Sequence, residues 1–177
     1  MLRSNPGVLL LLADAYYLDS RYAAAAMVYD SVRQMNISPG YCETAVLRKQ
    51  CIADSIDRTL FFSLYYGGAP DSVRAVSVNE ALAQRHRTSS LLFFSALLDE
   101  GDPAVVIDRY RAAAENSISE ELQYFSLVRA ADHSYRAGRY QEAKVIFWQA
   151  KNNAPTPAAA DQLDEKIDMC DLAGIEW

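Results

Sequence analysis

Residues 127–155 read LVRAADHSYRAGRYQEAKVIFWQAKNNAP, and residues 9–39 read LLLLADAYYLDSRYAAAAMVYDSVRQMNISP. The first run carries Ala130 and Ala131, then Tyr135, Gly138, Tyr140, Ala143, Phe147, Ala150 and Pro155. The second carries Leu12 and Ala13, then Tyr16, Tyr17, Tyr22, Ala25, Tyr29, Val32 and Pro39. Both follow one order: a small-residue pair, a Tyr, a short turn, a Tyr, Ala-x-x-x-aromatic, a small or branched residue, then Pro. Self-similarity of this kind marks a repeat architecture. Its physical content is simple. Small residues at Ala13, Ala25, Ala131 and Ala143 let two antiparallel helices approach closely, and the rings of Tyr29 and Phe147 fill the space beside them. Gly138 takes a left-handed turn at low cost, and the prolines start or stop helices.

This order resembles the tetratricopeptide repeat, a helix–turn–helix of about 34 residues. The matching residues of the last unit are Ala131, Gly138, Tyr140, Ala143, Phe147, Ala150 and Pro155; those of the first are Leu12, Ala13, Tyr16, Tyr22, Ala25 and Tyr29. The chain departs from the family where its signature Trp is replaced by Leu9 and Leu127. It departs again where Ser20 stands for the turn glycine and Pro39 falls two residues late relative to Pro155. A weaker unit runs through Phe93, Phe94, Leu97, Gly101, Val106, Tyr110 and Ala113, and a degenerate one through Leu60, Phe61, Leu64, Tyr65 and Gly67-Gly68. The turn positions Ser20, Gly68, Gly101 and Gly138 are spaced by 48, 33 and 37 residues, so the first interval holds an extra helical segment. The resemblance implies a TPR-like right-handed superhelical solenoid of about four helix pairs plus a C-terminal capping helix. The array would cover residues 1–155, in units of about 6–39, 42–87, 88–118 and 119–155, with the capping helix and tail at 156–177.

Read for periodicity and caps, the sequence predicts helices over 6–19, 22–36, 42–66, 70–85, 89–99, 103–116, 120–137, 140–153 and 157–172. No segment alternates with period two, so the expected class is all-α with no sheet. Asp102-Pro103 and Thr156-Pro157 each read as an N-cap followed by Pro at the first helical position. The last helix has an apolar stripe of Ala160, Leu163, Ile167 and Cys170, opposite Asp161, Asp164, Glu165, Asp168 and Asp171. That suits a helix closing the end of a solenoid, with an acidic docking surface as the alternative; Gly174 should stop it. The first helix differs, because Val8 to Ala13 are all apolar and leave no clearly wet face. Three readings stay open: contact with a preceding repeat, a homodimer through this helix, or ordinary packing against a shifted second helix.

About half of the 177 residues are apolar and 23% are charged, which excludes disorder as the dominant state. No apolar run approaches the ~18 residues of a membrane span, so no membrane partner is expected. The net charge is −6, and six acids against Lys166 from Pro155 onward account for nearly all of it. An acidic chain repels phosphate backbones, so no nucleic-acid partner is expected. Cys42, Cys51 and Cys170 are odd in number, widely spaced and without CxxC; they read as small hydrophobes in a reducing compartment, not as a disulfide framework or zinc site. The N-terminus lacks the pattern of a secretory signal.

No catalytic pattern is present, and the expectation is a non-enzyme with no cofactor and no metal. Asp132-His133-Ser134 has triad letters, but consecutive helical residues point about 100° apart. Arg85-His86-Arg87 reads as cations at a helix end, and Glu120-Glu121 as acids at a helix start. Neither HExxH, GxSxG nor a P-loop occurs.

Function is therefore expected from binding. In the family that the repeats resemble, the first helix of each unit lines a concave groove. Carried over unit by unit, that implies Leu10, Asp14, Tyr17 and Leu18; Arg58, Phe62, Tyr65 and Tyr66; Leu91, Ser95, Leu98 and Asp99; and Val128, Asp132, Tyr135 and Arg136. The partner-binding set is Asp14, Tyr17, Arg58, Tyr65, Tyr66, Asp132, Tyr135 and Arg136, because aromatics and Arg anchor interfaces. Each Tyr has the alternative of packing between repeats. The expected partner is a protein or peptide held in the groove. The alternative is a structural repeat segment of a larger protein or homo-oligomer, in contact through the apolar N-terminal helix. A carboxylate clamp of the kind some family members use for chaperone tails is not expected, since Asp14 would repel the ligand.

Overall fold

The computed structural model describes residues 5–84, 88–99 and 101–174. Among these it holds ten α-helices and no strand, as the missing two-residue alternation predicts. The chain divides into two compact units, Met1–Arg74 and Ala75–Trp177. The first contains α1 (Pro6–Leu18), α2 (Tyr22–Met35), α3 (Pro39–Ala53) and α4 (Arg58–Tyr65). The division falls within α5 (Asp71–Gln84). The second unit continues with α6 (Ser89–Leu97), α7 (Pro103–Asn116), α8 (Glu120–Arg136), α9 (Tyr140–Lys151) and α10 (Pro157–Ala173). In unit 1, α1 packs on α2, α3 and α4, and α2 packs on α3; in unit 2, α6 to α10 pack each on the next. The Arg85-His86-Arg87 segment lies outside the described residues.

Local chemistry explains the boundaries. Four helices start with Pro at the first position (Pro6, Pro39, Pro103 and Pro157), where the missing N–H is harmless and the fixed φ is preorganised. Side-chain oxygens of Asn5, Asp57, Asp102, Ser119 and Thr156 accept from backbone N–H groups in the first turns of α1, α4, α7, α8 and α10. Both cap-plus-Pro readings, Asp102-Pro103 and Thr156-Pro157, are met in the structure.

Three helix ends share one turn. After α1, Ser20 has φ 60°, its N–H donates to the Tyr17 carbonyl, and the Arg21 N–H donates to the Tyr16 carbonyl. After α8, Gly138 (φ 75°) donates to Tyr135 and Arg139 donates to Ser134. After α3, Ser55 (φ 54°) donates to Ile52 and Ile56 donates to Cys51. This is the paired-bond stop that a left-handed residue makes possible. Serine fills it twice without glycine, despite the roughly 1–2 kcal/mol that a side chain costs in this region.

The third of these turns corrects one expectation. Residues 42–66 are not a single helix: α3 already begins at Pro39 and stops at Ala53, and α4 begins afresh at Arg58. The apolar periodicity runs through the break because Ile56 (3% exposed) is buried like a helical core residue. The stop is made by Ser55 and the restart by Asp57, whose side chain caps Leu60 at 2.9 Å.

The two ends of the chain are copies in one register. Ala13-Asp14, Tyr17, Arg21-Tyr22 and Ala25 recur, without insertion, as Ala131-Asp132, Tyr135, Arg139-Tyr140 and Ala143. The same register sets α1, α2 and α3 against the end of α8, α9 and α10, and matches Pro39 to Pro157 as the first residue of the third helix. The pairing of Pro39 with Pro155, two residues out, is thereby corrected: Pro155 lies before the helix. Ala13, Ala25, Ala131 and Ala143 are all fully buried, and so are the rings of Tyr29 and Phe147. Close approach at alanine, with an aromatic beside it, organises both units. In α10, Leu163, Ile167 and Cys170 face inward as the stripe predicts. Lys144–Asp171 (2.6 Å) and Lys151–Asp164 (2.5 Å) tie α9 to α10, so part of the acidic tail serves this packing.

Candidate functional site

The expected binding residues separate into an internal set and an outer set. In unit 1, Asp14 is 1% exposed and Tyr17 has no accessible surface. These two therefore do not line an open strip; they build the unit from inside. The Asp14 carboxylate accepts from three side chains. Tyr29 Oη donates at 2.5 Å, while Arg48 Nη1 and Tyr66 Oη both donate to its second oxygen. Each donor comes from a separate segment: α2, α3 and the residue that follows α4. A carboxylate is tolerated at such depth only when its charge is paired and its lone pairs are filled.

Around this hub runs a stack of rings. Tyr17 lies on Phe61 with centroids 4.0 Å apart, Phe61 meets Tyr65 at 4.8 Å, and the Arg48 guanidinium sits 4.2 Å from the centre of the Tyr65 ring. Tyr22 meets Tyr17 edge-on at 5.3 Å. Tyr17 Oη donates to the Ile56 carbonyl at 2.5 Å, with the Cys51 carbonyl at 3.3 Å, so α1 is bonded to the break between α3 and α4. The outer set in this unit is Arg58 and Tyr66. Arg58 is exposed and donates to the Leu18 carbonyl at the end of α1 (3.2 Å), where a cation suits the helix dipole. Tyr66 is half-buried, and Tyr65 is half-buried with its hydroxyl out of solvent.

Unit 2 repeats the pairing more openly. Lys166 Nζ on α10 donates to Asp132 on α8 at 2.5 Å and stands 5.2 Å from the Phe147 ring centre. Asp14 and Arg48 are 34 positions apart, and so are Asp132 and Lys166. Position 147 is Phe where the other unit has Tyr29, so Asp132 receives no phenol from there. It is half-buried, and so is Tyr135, which meets Tyr140 at 5.2 Å just as Tyr17 meets Tyr22. Arg136 is exposed. The residues of Asp132-His133-Ser134 diverge: Asp132 meets Lys166, the His133 ring lies 5.7 Å from Tyr110, and Ser134 is fully buried. Burial, then Arg136 and Arg129, hold the His133 pKa below the usual histidine range. Of the other groove candidates in this unit, Leu91 and Ser95 are buried.

Sequence reading found the two acids but missed their bases. Arg48 and Lys166 were not among the candidates; the signal was a cation 34 positions after the Asp of the Ala-Asp pair, present in both copies of the hairpin. It also missed an open recess of about 420 Å³ between α7, α8 and α9, lined by Arg111, Glu115, Gln123, Gln149, Asn152 and Asn153. Among the described residues no group of His, Cys, Asp and Glu gathers as metal ligands would, and no helix is long and apolar enough to cross a membrane.

The hub makes unit 1 sensitive to alkali. Burial, and then the bond to Asp14, push the Tyr66 phenol up from 10.0 to about 12. Burial and Asp14 raise Tyr29 further, and burial raises Tyr65. A raised phenol pKa means that the folded state holds its proton more tightly than the unfolded chain does. The stability it contributes is complete below pH 10.0 and is lost as pH climbs through about 12. The expected outcome is cooperative unfolding in that window, followed by circular dichroism, with the phenolate absorbance that Tyr66→Phe removes rising in the same transition. A difference in phenolate absorbance between the parent and Tyr66→Phe at lower pH, ahead of any loss of helix, would show that this hydroxyl is not held in this way.

No family model matches the chain, no curated protein matches it, and no solved structure matches it.

Proposed function

We propose that the chain is a TPR-like, non-enzymatic protein–protein interaction module that holds a partner peptide against the first helices of its hairpins. The observation that carries this reading is the exact recurrence, in both units, of one hairpin. The same Ala-Asp-x-x-Tyr-x-x-[Ser/Gly]-Arg-Tyr-x-x-Ala order, left-handed turn, buried alanines and acid–base pair serve twice. A module repeated with its packing intact is the way repeat proteins build extended binding surfaces. The internal residues Asp14, Tyr17 and Tyr65 set the position of what surrounds them. The side chains left for a partner are Arg58 and Tyr66 in unit 1, and Tyr135 and Arg136, with Asp132 behind them, in unit 2. Tyrosine and arginine are the side chains that most often anchor interfaces.

The test is a selection of peptides from a displayed random library on the full chain, followed by rebinding to Arg136→Glu and Tyr135→Ala, and to Arg58→Glu and Tyr66→Phe. Each anchor is expected to be worth about 2 kcal/mol, roughly thirtyfold in Kd. Arg136 and Arg58 are exposed, so their variants should fold normally. Selected peptides that bind all four variants as tightly as the parent would remove the surfaces of both units from consideration.

A further inference from the structure

The register that relates the two ends of the chain also shows what belongs on the bare side of α1. Val8, Leu11 and Leu12 are 60%, 58% and 42% exposed, and Ala15 is exposed beside them, at the spacing of one helical face. The corresponding positions of α8 are Ser126, Arg129, Ala130 and His133. There, Ser126 and Ala130 have no accessible surface, and His133 lies against the Tyr110 ring. α7 packs on α8, whereas among the described residues no helix covers the matching face of α1. The face of α7 that is buried in unit 2 consists of Val106, Ile107, Tyr110, Ala113 and Ala114, without a charge.

We infer that the Val8–Leu11–Leu12–Ala15 face of α1 is a docking surface for an amphipathic helix of a partner protein, packed on α1 as α7 packs on α8. The helix is one whose inner face alternates branched, tyrosine and small residues in the manner of α7. The chemistry selects this occupant over a second copy of the chain. A second copy cannot supply such a face, because its own Val106, Ile107, Tyr110, Ala113 and Ala114 are already buried. Paired with itself, α1 would bring leucine against leucine, which holds two helix axes apart. An α7-like helix instead brings a tyrosine and alanines, which allow close approach.

The register supplies the probe. In the full chain carrying a second copy of residues 88–118 joined directly before Met1, the appended α6–α7 hairpin precedes α1 in the register in which α7 precedes α8, with Met1 in the place of Ser119. Tethering raises its effective concentration enough for a weak contact to be seen. Amide exchange across residues 8–16 should slow by on the order of tenfold or more. An appended copy carrying Tyr110→Ala and Ala113→Glu, or the intact copy on a chain with Leu11→Asp, should give no slowing. Leu11 is exposed, so the parent fold should survive that change. No slowing with the intact hairpin, or equal slowing with the altered one, overturns the inference. So does a parent chain that sediments as a dimer with α1 already protected, which would identify a second copy as the occupant. None of these variants touches Tyr135 or Arg136, so failure here leaves the peptide strip to its own test.

Discussion

Replacing Asp14 by alanine is expected to destabilise unit 1 by about 3–5 kcal/mol, whereas Asp132→Ala, at the equivalent position of unit 2, should cost less than about 1 kcal/mol. The two acids share a register, a helix and a cationic partner 34 positions on. They differ in burial: the Asp14 side chain is 2% exposed and that of Asp132 is 29%. Removing Asp14 strands the Arg48 guanidinium, 14% exposed, and takes the acceptor from two phenols, Tyr29 and Tyr66. A buried charge without its partner is among the few single changes that reach such a magnitude. Lys166 loses much less, because water reaches both members of its pair. The measurement is urea unfolding of both variants by circular dichroism, with amide exchange to assign each loss to its unit. Equal and small effects would mean that the Asp14 hub is not formed. Asp14→Asn should fall between parent and alanine, since the amide oxygen still accepts one phenol while the charge facing Arg48 is gone.

This contrast also shows where sequence reading stopped. The alanine pairs, the Tyr29 and Phe147 rings and nearly all helix ends were legible, because close approach needs small residues and helix ends need caps, and both leave local marks. The break after Ala53 was not, since Ser55 took a backbone region where glycine is the usual signal, and Ile56 kept the apolar rhythm unbroken. The depth of Asp14 was not legible either. Its neighbours Leu12 and Ala15 are exposed while Asp14 is buried, the reverse of what hydropathy suggests. What makes the burial tolerable is three donors brought from positions 29, 48 and 66, a long-range arrangement that no local pattern encodes. Tyr17 and Tyr65 followed from the same cause. Position in the repeat puts both on the groove face, with packing as the alternative, and the ring stack through Phe61 turns them inward.

The second large effect belongs to unit 2. Phe147→Ala is expected to cost about 3–5 kcal/mol, because the ring is 1% exposed and its neighbours in the helix pair cannot move in to replace it. Ala131, Ala143 and Ala150 are each fully buried, so the helix backbones are already near their closest approach and the space left by the ring stays open. Phe147→Leu, which keeps most of the volume, should cost less than about 1.5 kcal/mol. The Lys166 ammonium, 5.2 Å from the ring centre, loses a favourable face in both variants, so the difference between them isolates packing from the cation–ring contact. Tyr29→Ala in unit 1 should be at least as costly as Phe147→Ala, since it opens the same space and also withdraws a hydrogen bond from Asp14. Denaturant midpoints for the three variants order these effects directly. If Phe147→Ala and Phe147→Leu unfold at the same midpoint, the ring is not filling the gap that the alanines leave, and the close-packed hairpin on which both units are built loses its basis.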